Sequence, residues 1–305
     1  PVAKFVVNKP FLICCLVFVL MVITELNMFN LKFEFDTVKS FPEDLPSREG
    51  YEIVESNFDK GELAPTSILV ESNSNLSDDQ VEDLRVLLEE QEHVASVRLT
   101  NANEEQSLVK YSLAFDINPY STEAIDHMGD MRTSGKDILK AAQLDGDIHF
   151  AGTTAKLVDE RETNSSDIYK IVLLETLLIV VLLFVLTRSW KMPLYMMATI
   201  LLSYLSALGL GIFLVDVLFG YEAISTRVPV YSFIFLVALG IDYNIILVSR
   251  FIEERKNYKV KDALEIAIRN TGGVISSAGI ILAATFAALT TMPIADLFVF
   301  GFIVS

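Results

Sequence analysis

Long apolar stretches constrain this chain more than any other feature. A helix needs about 20 apolar residues to cross a hydrocarbon layer about 30 Å thick. Five stretches meet that length and a sixth begins: residues 10–27, 168–187, 193–213, 229–249, 272–291 and 294–305. The pattern predicts an α-helical multi-pass membrane protein, with transmembrane helix 1 in residues 1–30 and transmembrane helices 2–6 in residues 168–305, the sixth incomplete.

The long segment between the first and second spans differs from them in charge. Residues 31–167 contain 30 acidic and 12 basic residues, whereas the whole chain contains 40 and 24. A segment of this size is long enough to bury its own core. The sequence therefore predicts an acidic soluble domain inserted between spans, and its negative charge excludes nucleic acid as a partner.

Basic residues mark alternate short loops, which is how the cytoplasmic side of a membrane protein is recognised. They are Lys4, Lys9, Arg188, Lys191, Arg250, Arg255, Lys256, Lys259, Lys261 and Arg269. This distribution places the amino terminus in the cytoplasm and the acidic domain outside the cell membrane. Residues 258–270 repeat apolar positions at helical spacing, which predicts a separate amphipathic helix on the inner leaflet.

The acidic domain has its own pattern of strands and helices. A strand at 67–71 precedes a helix capped by Ser77, and alternating strands follow at 94–100 and 107–116. A second helix at 119–142 leads to a strand at 147–152. The order β-α-β-β-α-β predicts an α+β ferredoxin-like domain.

Asp242 is the one charged residue in the fourth span. A charge at such depth costs at least about 2.5–3.5 kcal/mol, and intramembrane carboxylates usually serve ion or proton movement. The sequence predicts that Asp242 and Tyr243 share a buried pocket and form a proton relay, with Ser249 on the face of Asp242. The alternative is a permanently protonated Asp242 that cross-links helices.

Three sequence segments resemble a known family: GIDYN at 240–244, SRFIEER at 249–255 and NTGGVISSAGIILAATFAALTTMP at 270–293. Together they resemble the MMPL family of the RND superfamily, over nearly the whole chain as one repeat with an extracytoplasmic porter domain. The resemblance implies that Asp242 and Tyr243 face a second Asp-Tyr pair in another half of the transporter.

The resemblance also suggests which half this chain is. Asn244 and the LTTMP ending are similar to the second half of Gram-positive members. The chain is therefore interpreted as the carboxy-terminal half of a transporter about twice its length, and alone it is not expected to pump.

Other polar residues in the spans are weaker candidates. Ser276 and Ser277 could support the relay by donating to Asp242 or by holding water, within a stripe of small residues that favours close helix packing. Glu175, about two turns inside the second span, is predicted to face either a substrate path or the headgroup zone.

The sequence predicts no enzyme, cofactor or metal site. His93, His127 and His149 lack metal-ligand spacing, and neither a phosphate-binding Gly-rich loop nor a nucleophile elbow occurs. Cys14 and Cys15 are adjacent in an apolar stretch and are expected to pack as small hydrophobes.

The leading functional hypothesis is a secondary transporter that uses the proton-motive force to export lipids, fatty acids or other hydrophobic molecules. Its expected partners are the other half of the transporter, the substrate and membrane lipids. Two alternatives stay open: a SecDF-like accessory to protein export, which Tyr243 disfavours because that family has a small residue there, and a receptor or scaffold that transports nothing.

Overall fold

The computed structural model describes residues 2–305, and the chain divides into two units. The membrane unit comprises the residues up to Phe33 together with Asp167–Ser305, and the acidic domain comprises Glu34–Ser166. The α-helices of the described residues are α1 Val2–Asn8, α2 Pro10–Glu25, α3 Pro46–Asn57, α4 Asp78–Glu89, α5 Thr122–Ala141, α6 Thr153–Thr187, α7 Lys191–Phe219, α8 Arg227–Glu254, α9 Val260–Ala287 and α10 Ala295–Val304. The strands are β1 Phe33–Glu34, β2 Thr66–Ser72, β3 Val94–Ala102, β4 Leu108–Phe115, β5 Gly146–Ala151 and β6 Ile224–Ser225.

Five helical segments in the described residues are long and apolar enough to cross a membrane. They are Pro10–Asn30, Thr153–Thr187, Lys191–Phe219, Arg227–Glu254 and Val260–Thr291. The sixth apolar stretch forms the ten-residue helix α10. The predicted helical membrane protein with a small α+β region is confirmed.

The segment after α8 differs from the sequence prediction. A separate amphipathic helix at 258–270 was expected, but α9 runs without a break from Val260 to Ala287. Ala263 and Ala267 on its apolar face are fully buried, and both α1 and α8 pack against α9. At Ala263 and Ala267 that face is therefore covered by helices of the same chain.

Small residues let α7 approach two neighbouring helices. A side chain at Gly209 would collide with the Thr24 carbonyl of α2, and one at Gly211 would collide with Ile303 of α10. The hydroxyls of Thr24 and Ser206 are hydrogen-bonded at 2.7 Å between α2 and α7. Close packing of small residues and interhelical hydrogen bonds are what hold helices together where lipid removes the hydrophobic driving force.

The acidic domain is built around a four-stranded antiparallel sheet in the order β3-β4-β2-β5. Its connectivity is the predicted β-α-β-β-α-β arrangement, and α4 and α5 share one apolar core with the sheet. Ser77 and Gln80 form a capping box at the start of α4. Helix α5 starts at Thr122, later than predicted, because the Ser121 side chain caps it by accepting from Ala124 N.

Tyr111 gives the acidic domain a predictable response to alkaline pH. Its fully buried side chain donates a hydrogen bond to the Val81 carbonyl at 2.8 Å, and burial raises the pKa of Tyr111 to about 12. Because the pKa of Tyr111 is higher in the folded chain, the unfolded chain loses the phenolic proton at a lower pH than the folded chain does. The contribution to stability is therefore complete below about pH 10 and is lost as the pH rises toward about 12.

We expect Tyr111→Phe to cost about 1 kcal/mol at neutral pH, through the lost hydrogen bond. At pH 11 the wild-type chain should have lost about 1.4 kcal/mol because its unfolded form ionises, a loss that the Phe variant cannot show, so the difference of about 1 kcal/mol should vanish or slightly reverse. Pulse proteolysis in urea at both pH values measures the two stabilities. A difference that is the same at both pH values would contradict the burial of this hydroxyl.

Candidate functional site

Helix α8 packs on one side and is open on another. Its buried residues Phe233, Val237 and Ile241 share an apolar cluster with residues of α6 and α7. The opposite face consists of residues spaced three or four apart, all of them exposed: Tyr231, Phe235, Ala238, Asp242, Ile246 and Ser249. We call this face the outer stripe of α8.

Helices α9 and α10 meet the outer stripe near its first residues. The Phe235 ring lies 5.5 Å from Phe286 of α9 and 5.7 Å from Phe300 of α10, between ring centroids. Phe235 nevertheless remains 45% exposed. The stripe is therefore only partly covered by its own chain at that end.

Asp242 lies near the middle of the 28-residue helix α8, about 22 Å from its first residue and about 18 Å from its last. Its carboxyl is exposed on the outer stripe. Among residues 2–305 it has no hydrogen-bond or ion-pair partner. A carboxylate at this depth is therefore presented to whatever covers the outer stripe.

The Tyr243 side chain lies on a different face of α8 from the Asp242 side chain. Successive residues of an α-helix are about 100° apart around its axis, and Tyr243 is half-buried with its hydroxyl fully buried. That hydroxyl has no hydrogen-bond partner in the part of the chain that the structure describes. Within this chain the phenol is therefore turned inward and the carboxyl outward, and a buried pocket shared by the two stays a prediction.

The predicted supporting serines do not contact Asp242 here. Ser276 and Ser277 are exposed on α9, and the Ser277 hydroxyl donates to the Val274 carbonyl at 3.0 Å. Ser249 is on the outer stripe with Asp242, where its seven-residue spacing put it. A supporting role for these three hydroxyls stays a prediction.

The small-residue stripe of α9, which consists of Gly272, Ser276, Gly279, Ala283 and Ala287, is also open at its glycines. A side chain added at Gly272, Gly273 or Gly279 would meet no atom within 4 Å. Among the described residues, no helix therefore packs closely against these glycines. Helices α8 and α9 pack against each other, and each presents an uncovered face.

Glu175 is half-buried in α6. It follows Val172 by three residues and precedes Ile179 by four, and both of these pack into the cluster shared with α7 and α8. The hydroxyl of its neighbour Thr176 is buried with no partner in residues 2–305. The geometry thus turns Glu175 toward the helix bundle, and its predicted place on a substrate path stays a prediction.

Two of the three histidines are brought together, which the sequence did not predict. The rings of His93 and His127 have centroids 4.5 Å apart, and ligand atoms of Glu92, His93 and His127 all lie within 4.8 Å of one another. His149 is exposed on β5. Spacing along the chain gave no signal because His93 and His127 belong to different elements.

Comparison with known proteins decides the family. The model of the MMPL family matches residues 41–305, most of the chain. The chain belongs to the MMPL family. It is accordingly a multi-pass membrane protein, in agreement with its apolar helices.

Curated relatives of this MMPL chain include exporters. It is 37% identical over 303 residues to the Streptomyces coelicolor membrane protein SCO5905. The aligned region covers 99% of the chain and 36% of the relative. It is 35% identical over 278 residues to the apo-petrobactin exporter of Bacillus anthracis, covering 90% of the chain and 37% of the relative. The sulfolipid-1 exporter MmpL8 of Mycobacterium tuberculosis is 32% identical over 182 residues, 59% of the chain and 16% of the relative.

The MMPL chain thus spans little more than a third of the length of the first two relatives. Those relatives exceed the twofold length that the sequence resemblance suggested.

Proposed function

We propose that this MMPL chain is one half of a secondary transporter that uses the proton-motive force to export lipids, fatty acids or other hydrophobic molecules. The observation that carries the proposal is the position of Asp242. It lies at mid-span on an exposed face of α8, without a partner among residues 2–305.

Lipid is a poor covering for that face. A carboxylate near the bilayer centre costs at least about 2.5–3.5 kcal/mol and is normally found facing a bundle interior or a water-filled cavity. The neighbouring stripe residues are apolar, as expected for helix packing. The other half of the transporter, carrying a second Asp-Tyr pair, is therefore the covering that suits both the charge and the apolar residues.

The open stripe of α9 supports the same assembly. Gly272, Gly273 and Gly279 leave room for a second helix at close range, and small residues are the usual contact surface between membrane helices. We infer that α8 and α9 together form the contact with the other half.

In this arrangement Asp242 takes up and releases the proton. Its charged form favours a hydrated or hydrogen-bonded contact between the halves, and its neutral form favours a tighter apolar contact. Each proton transferred thus shifts the population between two packings of the central helices. The buried Tyr243 hydroxyl has no partner among residues 2–305, and it is available to donate to a carboxyl or to water when the helices move.

The remaining polar residues of the spans would act around Asp242 and Tyr243. Ser249, Ser276 and Ser277 would support the relay from faces that are exposed in this chain, and Glu175 would lie along the substrate path. The acidic domain would be extracytoplasmic and the amino terminus cytoplasmic, following the basic loops.

The names of relatives support export, and one of them supports a lipid substrate. MmpL8 is named for sulfolipid-1, whereas the Bacillus anthracis relative is named for apo-petrobactin. We propose the hydrophobic class for this chain.

The test is flux in reconstituted vesicles. The full-length transporter, placed in vesicles of defined lipid, should move a fluorescent fatty acid or lipid only when a pH gradient is imposed, and an uncoupler should stop it. Flux of unfolded polypeptide instead would support the protein-export accessory. Absence of proton-dependent flux of either kind would contradict the proposal and leave the scaffold.

A further inference from the structure

We propose that the acidic domain binds a first-row transition-metal ion, of the zinc class, between His93, His127 and Glu92, with the exposed Glu123 side chain closing on the ion as a fourth ligand. The proposal rests on the geometry of the acidic domain alone and is independent of transport.

The elements of the domain bring these residues together. His93 immediately precedes β3, and Asp116 immediately follows β4, which pairs with β3 in an antiparallel hairpin. Glu123 and His127 lie four residues apart, on one face of α5. The His93 and His127 rings therefore meet at an edge-to-face centroid separation of 4.5 Å.

Asp116 holds the His93 ring at two points. The Asp116 amide donates to the His93 carbonyl at 2.9 Å, and the Nδ1 of His93 lies 3.1 Å from Oδ1 of Asp116. Because an ionised carboxylate only accepts, Nδ1 is the donor in this contact, and Nε2 of the neutral ring then has the free lone pair. A carboxylate that fixes the tautomer of a histidine in this way is the usual support of a metal-binding imidazole.

The free nitrogen then faces another acceptor. Nε2 of His93 lies 3.4 Å from Oε1 of Glu123, and Nδ1 of His127 lies 3.9 Å from Oε2 of Glu92. In this tautomer, Nε2 of His93 and the Glu123 carboxylate are both acceptors, and they repel each other unless a proton or a metal ion lies between them. Ligands of a tetrahedral zinc ion with bonds of about 2.0–2.1 Å are separated by about 3.3 Å, which is close to the distance between His93 and Glu123.

Charge favours a metal ion over a proton. The three carboxylates of Glu92, Asp116 and Glu123 surround two imidazoles, and no lysine or arginine within the described chain forms an ion pair with them. A divalent cation neutralises two of these charges at once. Two imidazoles select zinc, copper, nickel or cobalt over magnesium and calcium, which prefer all-oxygen sites.

Backbone strain and accessibility agree with a binding role. His93 has a left-handed backbone with φ of 60°, uncommon for a residue other than glycine, and such strain is concentrated at functional sites. The side chains of His93 and His127 remain 25% and 21% exposed, so an ion can enter from water. The Glu92 and Glu123 side chains are more exposed and free to close on it.

The experiment is zinc binding to the whole chain in detergent, measured by competition with a chromophoric chelator. The wild-type chain should bind one Zn²⁺ tightly. The double variant His93→Gln with His127→Gln should lose that ion, with affinity at least tenfold weaker. His149→Gln, a histidine in the same domain but outside the cluster, should bind as the wild type does.

Asp116→Asn separates a metal site from a chance cluster. It leaves every proposed ligand in place but removes the carboxylate that orients His93, and it should weaken Zn²⁺ binding about 10–100-fold. Co²⁺ bound to the wild-type chain should show the visible absorption of a tetrahedral site. Absence of stoichiometric Zn²⁺ binding to the wild type, or full binding by the double variant, would overturn the proposal.

Discussion

Replacing Asp242 with Asn should reduce proton-driven transport by the full-length protein to background while leaving membrane insertion intact. Asn has the size and hydrogen-bonding groups of a protonated Asp but cannot release a proton. It therefore preserves whatever packing the carboxyl contributes and removes only its titration. Uptake of a fluorescent lipid into vesicles under an imposed pH gradient measures the effect, with the amount of inserted protein determined in parallel.

Two further variants sharpen this result. Asp216→Asn alters an exposed carboxylate near the end of α7, and it should leave transport close to that of the wild type. Tyr243→Phe keeps the ring but removes the buried hydroxyl, which has no partner in the described part of the chain, and it should lower the rate. Full activity of Asp242→Asn would favour the alternative in which a permanently neutral Asp242 only links helices.

Phe115→Ala should be the most destabilising single change within the acidic domain that we predict. Phe115 is 1% exposed and belongs to the core shared by the sheet, α4 and α5. Removing a buried Phe side chain costs about 3–5 kcal/mol, through lost transfer free energy and the cavity that remains. Hydrogen exchange of the β4 amides in the whole chain should show protection reduced by this amount, or lost.

Phe58→Ala is the matched control, because Phe58 is 64% exposed in the same domain. Its effect should stay within about 0.5 kcal/mol. Equal protection losses in the two variants would mean that the core of the acidic domain is not where the structure puts it.

Much of the secondary structure follows from local sequence patterns. The alternation around Tyr111 predicts β4, and Ser77 predicts the start of α4, because strand periodicity and helix caps act over a few residues. The same is true of the long apolar helices. These signals do not depend on the rest of the molecule.

Helix α9 shows where local signals mislead. The apolar positions at helical spacing in 258–270 predicted a helix separate from the span at 272–291, although the pattern itself holds no signal for where that helix ends. In a membrane, however, a broken helix leaves backbone groups without hydrogen bonds, at several kcal/mol each. The continuous helix therefore has a lower free energy than the broken one, and the burial of Ala263 and Ala267 stabilises it further.

For the candidate site, the residues can be picked out from the sequence but their arrangement cannot. The sequence singles out Asp242 and Tyr243 by composition, but which of them faces outward depends on how α8 packs against α6 and α7. The meeting of His93 with His127 depends on the fold of the whole acidic domain. Neither arrangement has a signal within a short stretch of sequence.

The uninterrupted α9 has a mechanical consequence. A helix of 28 residues is about 42 Å long, and its continuous hydrogen-bonded backbone links its two ends. A tilt imposed near Lys261 would therefore also move Gly279. Under the proposed function, a tilt of the charged end of α9 would therefore change how closely its glycines can approach the other half of the transporter.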